Sequence, residues 1–546
     1  MPEWSEWHLV IGANGQGFDI NVFPDSIAGI RDQFPHQALN AMAAEGRPWW
    51  TGAPCLTRPI SAFRRGAWSD EPRELADRVI WHIGRLLAWI DAAASGRLMA
   101  EGDPLELPVL PLIVPRATIG FWEDRESLTF WRDSQPRWGF ATLAGIQGSV
   151  GTNVVADFMN QRRVSIRKPP WGSGISAPSG RIDAVWMVMP SLVVATPWRL
   201  PSTWHELTEF YQRASVDVPG ILEQAGSRLR RFERSKRSAP QILLVGFPIA
   251  EICGGEPERM HWLAIGNLKT ARRKDVRRGF SDLPGARKEW DRASAFEKRP
   301  LSFIASSNWA PDQLRRRGEA EREVRGKSVL LLGAGSLGSA VAQNLLRLGV
   351  TRMGIVDADT LGAGNLSRHS LAMEEIGWNK ANALAIRLNR TMPDANIEAF
   401  DFLFPPTDEK GRQRLEGWDV VVDCTGEDKL LREMAAYPWD GIKVFVSLAM
   451  TWQASGMLAY SDEQASFPAE DAIERFMACS DKPDEGRLGL MDGIGCWHPV
   501  FPASADDVQL WAAIGTKFIR RAVLERHRIC EHFVQDQLGA VERRAA

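Results

Sequence analysis

The run Val329-Leu-Leu-Leu-Gly333-Ala-Gly335-Ser-Leu-Gly338 is followed by Asp357-Ala-Asp359, Asn365-Leu-Ser-Arg368 and Lys380. These residue types suit phosphate chemistry. Gly333, Gly335 and Gly338 allow a backbone turn to close against phosphate, and a carboxylate about 20 residues further on can grip ribose hydroxyls. Asp357 stands at that separation, with Asp359 just beyond, which predicts adenosine binding. Taken alone, this set fits a dehydrogenase equally well. Asn365, Arg368 and Lys380 add an amide and two cations, the groups that hold a triphosphate while a carboxylate attacks its α-phosphorus. Hydride transfer has no use for them. Singly, Arg368 or Lys380 is more simply a solvated cation; the joint spacing points to carboxylate activation with ATP.

Residues 329–332 read as a buried strand, 339–348 as a helix whose N-terminus faces the glycine turn, and 352–356 as a second strand ending at Asp357. A further strand is expected over 418–424 and a helical region over 505–525.

With these motifs, residues 315–525 resemble the ThiF, MoeB and ubiquitin-activating enzyme superfamily, which adenylates the C-terminus of a ubiquitin-like protein. The wording Asn365-Leu-Ser-Arg368-His369 resembles its bacterial branch. The resemblance implies ATP and Mg2+, with Asp357 on ribose, Arg368 and Lys380 on phosphates, and Asn365 at the metal-bound phosphate region. One of Arg315, Arg316 and Arg317 would match the family's extra phosphate-binding arginine. The chain departs where the family has Thr-Asp-Asn: it carries Thr425-Gly426-Glu427-Asp428. Counting back from Arg432 favours Glu427 as the magnesium-positioning carboxylate, with Asp423 and Asp428 left open. The plainer alternative is that Asp423 ends a strand and Glu427 opens a helix, where acidic residues are favoured by the dipole.

Thioester chemistry needs a thiolate, whereas an adenylase alone does not. The six cysteines are Cys55, Cys253, Cys424, Cys479, Cys496 and Cys530. None has CxxC spacing, so no structural zinc site or other metal site is expected. Unpaired thiols and the lack of a signal peptide suggest a reducing cytoplasm. Cys424 reads as part of a buried strand and Cys530 as part of a C-terminal helix; Cys253, beside Gly254-Gly255, reads as a buried turn cysteine. Cys496, in Gly493-Ile-Gly495-Cys496-Trp-His-Pro499, resembles the superfamily's mobile crossover loop, which carries the thiol that captures the adenylated carboxylate. Cys479 is the second candidate.

Near the N-terminus, Phe23-Pro24, Phe34-Pro35 and Gly52-Ala53-Pro54-Cys55-Leu56, then Trp68 and a helical pattern over 75–93, resemble a ubiquitin-conjugating domain. The stretch through Gly102-Asp103-Pro104-Leu105-Glu106-Leu107-Pro108 resembles the close of its bacterial version. Cys55 would be the conjugating thiol. No His-Pro-Asn precedes it, so a backbone amide or His36 would have to stabilise the oxyanion. The alternative is an ordinary buried cysteine after a proline-rich turn.

The chain of 546 residues implies about three domains. The expected division is 1–110 (α+β, ubiquitin-conjugating-like), 111–300 (a central α/β linker domain, degenerate adenylation-like) and 301–546 (Rossmann-like ThiF/MoeB adenylation). Within the linker, strands are expected over 108–115, 184–196 and 241–249, with a helix over 221–237. Residues 269–325 are basic and polar, as connecting loops are. A net charge of −2 gives no footprint for direct nucleic-acid binding. No apolar run reaches the ~18 residues of a membrane span. Twenty-three tryptophans beside three tyrosines have no functional account at this level.

Together the two likenesses resemble the fused conjugating and activating enzymes of bacterial antiphage operons, notably the CBASS type. That implies a relay from adenylate to Cys496 to Cys55 to a target amine. The activated partner would be a ubiquitin-like protein or a cGAS-like nucleotidyltransferase, and the enzyme a homodimer. The competing expectations are a sulfur-carrier adenylyltransferase with a persulfide on Cys496, and a non-catalytic nucleotide-binding scaffold.

Overall fold

The structure is a computed structural model, and it describes residues 4–14, 17–40, 44–56, 70–111, 113–134, 136–146, 148–177, 182–232, 241–270, 283–479, 503–536 and 538–545. The chain divides into two compact units. One holds residues 1–145, 149–169 and 177–310, the other residues 146–148, 170–176 and 311–546.

The first unit begins with an antiparallel hairpin, β1 (Trp7–Asn14) and β2 (Gly17–Pro24), and helix α1 (Leu75–Ala94). Val22, Ile30, Phe34, Leu56, Leu86 and Trp89 form a small core there. It continues through β3 (Ile113–Phe121), α2 (Arg125–Asp133), β4 (Trp138–Gly145), β5 (Thr152–Met159), β6 (Ser165–Arg167) and β7 (Ala184–Val188). It closes with α3 (Trp204–Arg213), α4 (Val218–Phe232), β8 (Ile242–Ile249), β9 (Arg259–Gly266), α5 (Pro284–Ser294) and β10 (Ser302–Asn308). The eight strands from β3 onward form one mixed sheet in the order β3-β10-β9-β8-β7-β4-β5-β6. Trp131, Trp186, Trp262 and Phe158 pack edge-on or tilted on one face of it. That cluster gives part of the tryptophan content a structural use.

Two expected strands shift. β7 stops at Val188 instead of running to 196, because Pro190 lacks the N–H that would continue the ladder. The strand expected over 108–115 becomes β3, displaced past Pro108 and Pro111 although it still contains Pro115. The helix expected from 221 starts at Val218, where Asp217 accepts the Gly220 amide at 2.9 Å. β8 pairs parallel with β7 but antiparallel with β9, and no phosphate-type glycine turn follows it.

The second unit contains α6 (Pro311–Leu314), α7 (Arg322–Arg325), β11 (Val329–Leu332), α8 (Ser336–Leu348), β12 (Arg352–Val356), α9 (Lys380–Asn389) and β13 (Asn396–Phe400). It continues with α10 (Glu409–Arg414), β14 (Val420–Asp423), α11 (Asp428–Ala436), β15 (Lys443–Met450), β16 (Gly456–Gln464), α12 (Ala469–Cys479), α13 (Ala505–Glu525), β17 (Ile529–Gln535) and β18 (Val541–Ala545). The sheet order is β13-β12-β11-β14-β15-β16-β17-β18. Its first five strands are parallel, with β11 central among them. Strands β11, β12 and β14 are almost wholly apolar and buried, as a parallel sheet covered on both faces requires. Residues 170–176 belong to this unit: Gly172 N–H donates to Pro393 O at 2.7 Å and Ser173 N–H to Ala395 O at 2.8 Å. Cys530 lies on β17, not on a helix, since α13 ends at Glu525 with Arg526 in the left-handed region.

Candidate active site

The glycine turn is built by the first βαβ unit of the second sheet. Gly333 has φ +91°, and a Cβ there would meet the Thr425 methyl at 2.8 Å. A Cβ on Gly338 would lie 2.0 Å from Gly333 O, so only glycine lets α8 pack this closely on the turn. Gly335 differs: a Cβ there meets nothing within 4 Å. The protein does not require its smallness, whereas a phosphate approaching the backbone would. α8 begins at Ser336, earlier than the sequence pattern suggests, so the glycine turn runs directly into its first turn and the helix amides face the site.

Two side chains fix this turn. Asp357, at the end of β12, accepts Ala334 N–H through Oδ2 at 2.7 Å and Asp359 N–H through Oδ1 at 2.8 Å. His369 Nε2 donates to Ala334 O at 2.6 Å while Nδ1 accepts Leu371 N–H at 3.1 Å, which sets the tautomer. Burial, with Lys380 and Arg387 nearby, holds this imidazole below its usual range, so it stays neutral. The Ala334 peptide is therefore clamped at both its amide and its carbonyl. Sequence reasoning used His369 only as part of a motif and missed this contact.

Lys380 opens α9, whose cap Asn379 accepts Asn382 N–H. Its side chain is only 11% exposed, and its Nζ meets Asp359 Oδ2 at 2.9 Å. It is not the solvated helix lysine of the simpler expectation. Asn365 Oδ1 accepts Gly362 N–H at 2.9 Å, and among the described residues its Nδ2 makes no hydrogen bond. Arg368 is half-buried in the same loop.

β14 brings the remaining carboxylates. Asp423 pairs in register with Leu332, one residue before Gly333. It is fully buried and accepts from Thr425 N at 2.9 Å, Thr425 Oγ1 at 2.7 Å and Ser447 Oγ at 2.8 Å. Burial pushes its pKa above the usual carboxylate range despite these donors. Glu427, the N-cap of α11, is exposed, as is Asp428. Among the described residues no cluster of three His, Cys, Asp or Glu could hold a metal ion. Any magnesium would have to arrive largely ligated by phosphate and water, as such ions commonly do.

The arginine triplet resolves unevenly. Arg315 is 3% exposed and makes a fork with Asp394, Nη1 to Oδ2 at 2.6 Å and Nη2 to Oδ1 at 2.8 Å. It is structural, which removes it from the three candidates.

Among the described cysteines Cys55 is the exposed one. Burial holds the Cys424 thiol well above its usual range, raises Cys253, and lifts Cys530 to about 11, so none of these is a ready thiolate. Cys479 ends α12, half-buried against the core. Cys496 and Trp68 lie outside the described residues. Cys55 sits between buried Pro54 and Leu56, and Arg85 Nε donates to Leu56 O at 2.9 Å.

No helix among the described residues is long and apolar enough to cross a membrane. Residues 96–309 match the family described as the Cap2 central linker domain, and residues 312–436 match the ThiF family. Over 543 residues the chain is 44% identical to the ATP-dependent ubiquitin transferase-like protein Cap2 of Enterobacter hormaechei subsp. hoffmannii, covering 100% of this chain and 90% of that protein. A Pseudomonas aeruginosa protein of the same description is 33% identical over 113 residues, 20% of each chain. The sulfur carrier protein adenylyltransferase of Thermus thermophilus is 34% identical over 108 residues, 20% of this chain and 39% of that one. Matched along its whole length by one such relative, the chain belongs to the Cap2 family of ATP-dependent ubiquitin transferase-like proteins.

Proposed function

We propose that this enzyme adenylates the C-terminal carboxylate of a protein, captures it as a thioester and passes it to a target amine. The observation that carries the first step is the glycine turn clamped by Asp357 and His369, with Lys380 and the loop of Asn365 and Arg368 on the same βαβ unit. The turn amides and the start of α8 receive phosphate. Asp357 keeps lone pairs for ribose hydroxyls, and Lys380 exchanges Asp359 for a phosphate oxygen. Arg368, Asn365 Nδ2 and one of Arg316 and Arg317 complete the cationic set. Bound Mg2+ supplies charge neutralisation at the phosphates. Glu427 is the carboxylate placed to steady it, because the oxygens of Asp423 are already engaged by Thr425 and Ser447.

The substrate carboxylate attacks the α-phosphorus and pyrophosphate leaves. Cys496, with Cys479 as the alternative, displaces AMP to form a thioester. Cys55 then takes the acyl group by exchange and an amine releases it as an amide. The exchange is nearly isoenergetic, so cleavage of ATP to AMP and pyrophosphate drives the sequence and positioning sets its rate. We assign these roles to regions 301–546 and 1–110, joined by the linker 111–300, in a homodimeric enzyme. The partner is a ubiquitin-like protein or a cGAS-like nucleotidyltransferase, and the setting is bacterial antiphage defence in the cytoplasm. ATP–pyrophosphate exchange in the presence of the partner tests the first step; its absence with every candidate partner would leave a nucleotide-binding scaffold.

The second reading is a sulfur-carrier adenylyltransferase, favoured by the likeness over 108 residues to the Thermus thermophilus protein. Full activity of a Cys55→Ala variant would select it.

A further inference from the structure

We infer that His36, held by Glu106, is the general base for the amine that discharges Cys55. This rests on the reading of Cys55 as the conjugating thiol. Gln37 and Pro54 form an antiparallel bridge. Ala38 N–H donates to Ala53 O at 2.8 Å and Cys55 N–H to His36 O at 2.7 Å. This register sets His36 directly across from Cys55. In an uninterrupted ladder the His36 N–H would return to Cys55 O. It donates instead to Glu106 Oε2 at 3.0 Å, and the same oxygen meets His36 Nδ1 at 2.7 Å.

The backbone bears the mark of this arrangement. His36 has φ +52°, in the left-handed region, uncommon for residues other than glycine although histidine enters it more readily than most. In that conformation a single carboxylate oxygen grips both the amide and the ring of one residue.

The chemistry follows from the contact. A carboxylate only accepts, so the proton of the neutral ring is on Nδ1 and Nε2 carries the lone pair. His36 is then no donor to an oxyanion, the role the sequence suggested for it, but a proton acceptor. Its side chain is 43% exposed, within reach of an amine on another protein. The amine nitrogen bonds to the thioester carbonyl carbon, the carbon–sulfur bond breaks, and Cys55 leaves as thiolate. The amine proton passes to Nε2, and Glu106 stabilises the imidazolium. Among the described residues Glu106 is the charged group paired with His36, and Cys55 is the thiol across from it. Glu106 acts through His36 and is a positioning residue.

The test uses the full chain. Cys55 is loaded by exchange with a synthetic peptide thioester ending in glycine, and a Cys55→Ala protein corrects for other thiols. Single-turnover discharge is followed to free lysine, which must lose a proton, and to hydroxylamine, which is already neutral near pH 7. His36→Gln is expected to lower the lysine-to-hydroxylamine rate ratio about 100-fold and to remove one ionisation from the lysine pH profile. Glu106→Gln lowers the ratio about tenfold, and Glu106→Asp recovers part of it. An unchanged ratio and profile in both His36→Gln and Glu106→Gln, with loading intact, overturns the inference alone. Failure of the wild-type Cys55 to load overturns the reading beneath it as well.

Discussion

Each of the two eight-stranded sheets has a fully buried carboxylate whose acidity burial has weakened, yet only one stands in a site. Glu123 follows β3 in the first unit and accepts from the indole nitrogens of Trp262 at 2.8 Å and Trp131 at 3.1 Å, with Arg167 3.8 Å away. Its pKa is raised to about 7. Asp423 ends β14 in the second unit, held by hydroxyls and an amide of its own turn. Around Glu123 the neighbours are aromatic core. Beside Asp423 the glycine turn after β11 reverses and α8 begins, while Arg368 and Lys380 lie in the segment that follows β12. A perturbed carboxylate therefore indicates chemistry only where the main chain also offers amides and room for a ligand.

Removing buried charges separates these environments most strongly. Arg315→Ala leaves Asp394 buried without its cation and should destabilise the second unit by about 3–5 kcal/mol, measured by urea denaturation. Lys380→Ala should leave stability nearly unchanged while lowering ATP–pyrophosphate exchange about 10²–10³-fold. Equal exchange in that variant would break the contrast between structural and ligand-facing cations.

Glu123 offers a pH test. Its folded pKa of about 7 exceeds the ordinary glutamate value of 4.5, so the folded state retains a proton that the unfolded chain loses. Stability should fall as pH rises from about 4.5 to about 7, by about 3 kcal/mol, and be flat in this contribution outside that window. Glu123→Gln should remove the fall, seen as a smaller change in unfolding midpoint between pH 5 and pH 8. His369→Phe should release Ala334 O and raise the KM for ATP about tenfold with a lesser change in kcat. Arg317→Ala, exposed where Arg315 is buried, should alter stability by no more than about 0.5 kcal/mol.

Much of the fold around the candidate nucleotide site was legible because it is local. Glycine spacing, an apolar strand and the carboxylate at the end of the next strand all fall within one βαβ unit, and β12 spans the expected 352–356. The bounds of α13 likewise follow from its amphipathic pattern. Cys530 was misplaced because Arg526 ends that helix in a left-handed conformation without the usual glycine signal. Arg315 could not be told from Arg316 and Arg317, since burial of one among three identical neighbours is a tertiary property. Glu106 was invisible for a related reason: it meets His36 across 70 residues of chain. The pairing of Glu123 with Trp262 spans 139 residues, and no local pattern reports it.

The central claim is that one chain both activates a carboxylate with ATP and carries it on Cys55. Intact-mass analysis of the Cys55→Ser protein, isolated from cells expressing the neighbouring genes, tests it most directly, because serine holds the acyl group as a longer-lived ester. The account predicts a protein-sized adduct that disappears when Lys380→Ala is added. An unmodified mass, with ATP–pyrophosphate exchange still present in the wild type, would contradict the relay and leave the sulfur-carrier reading.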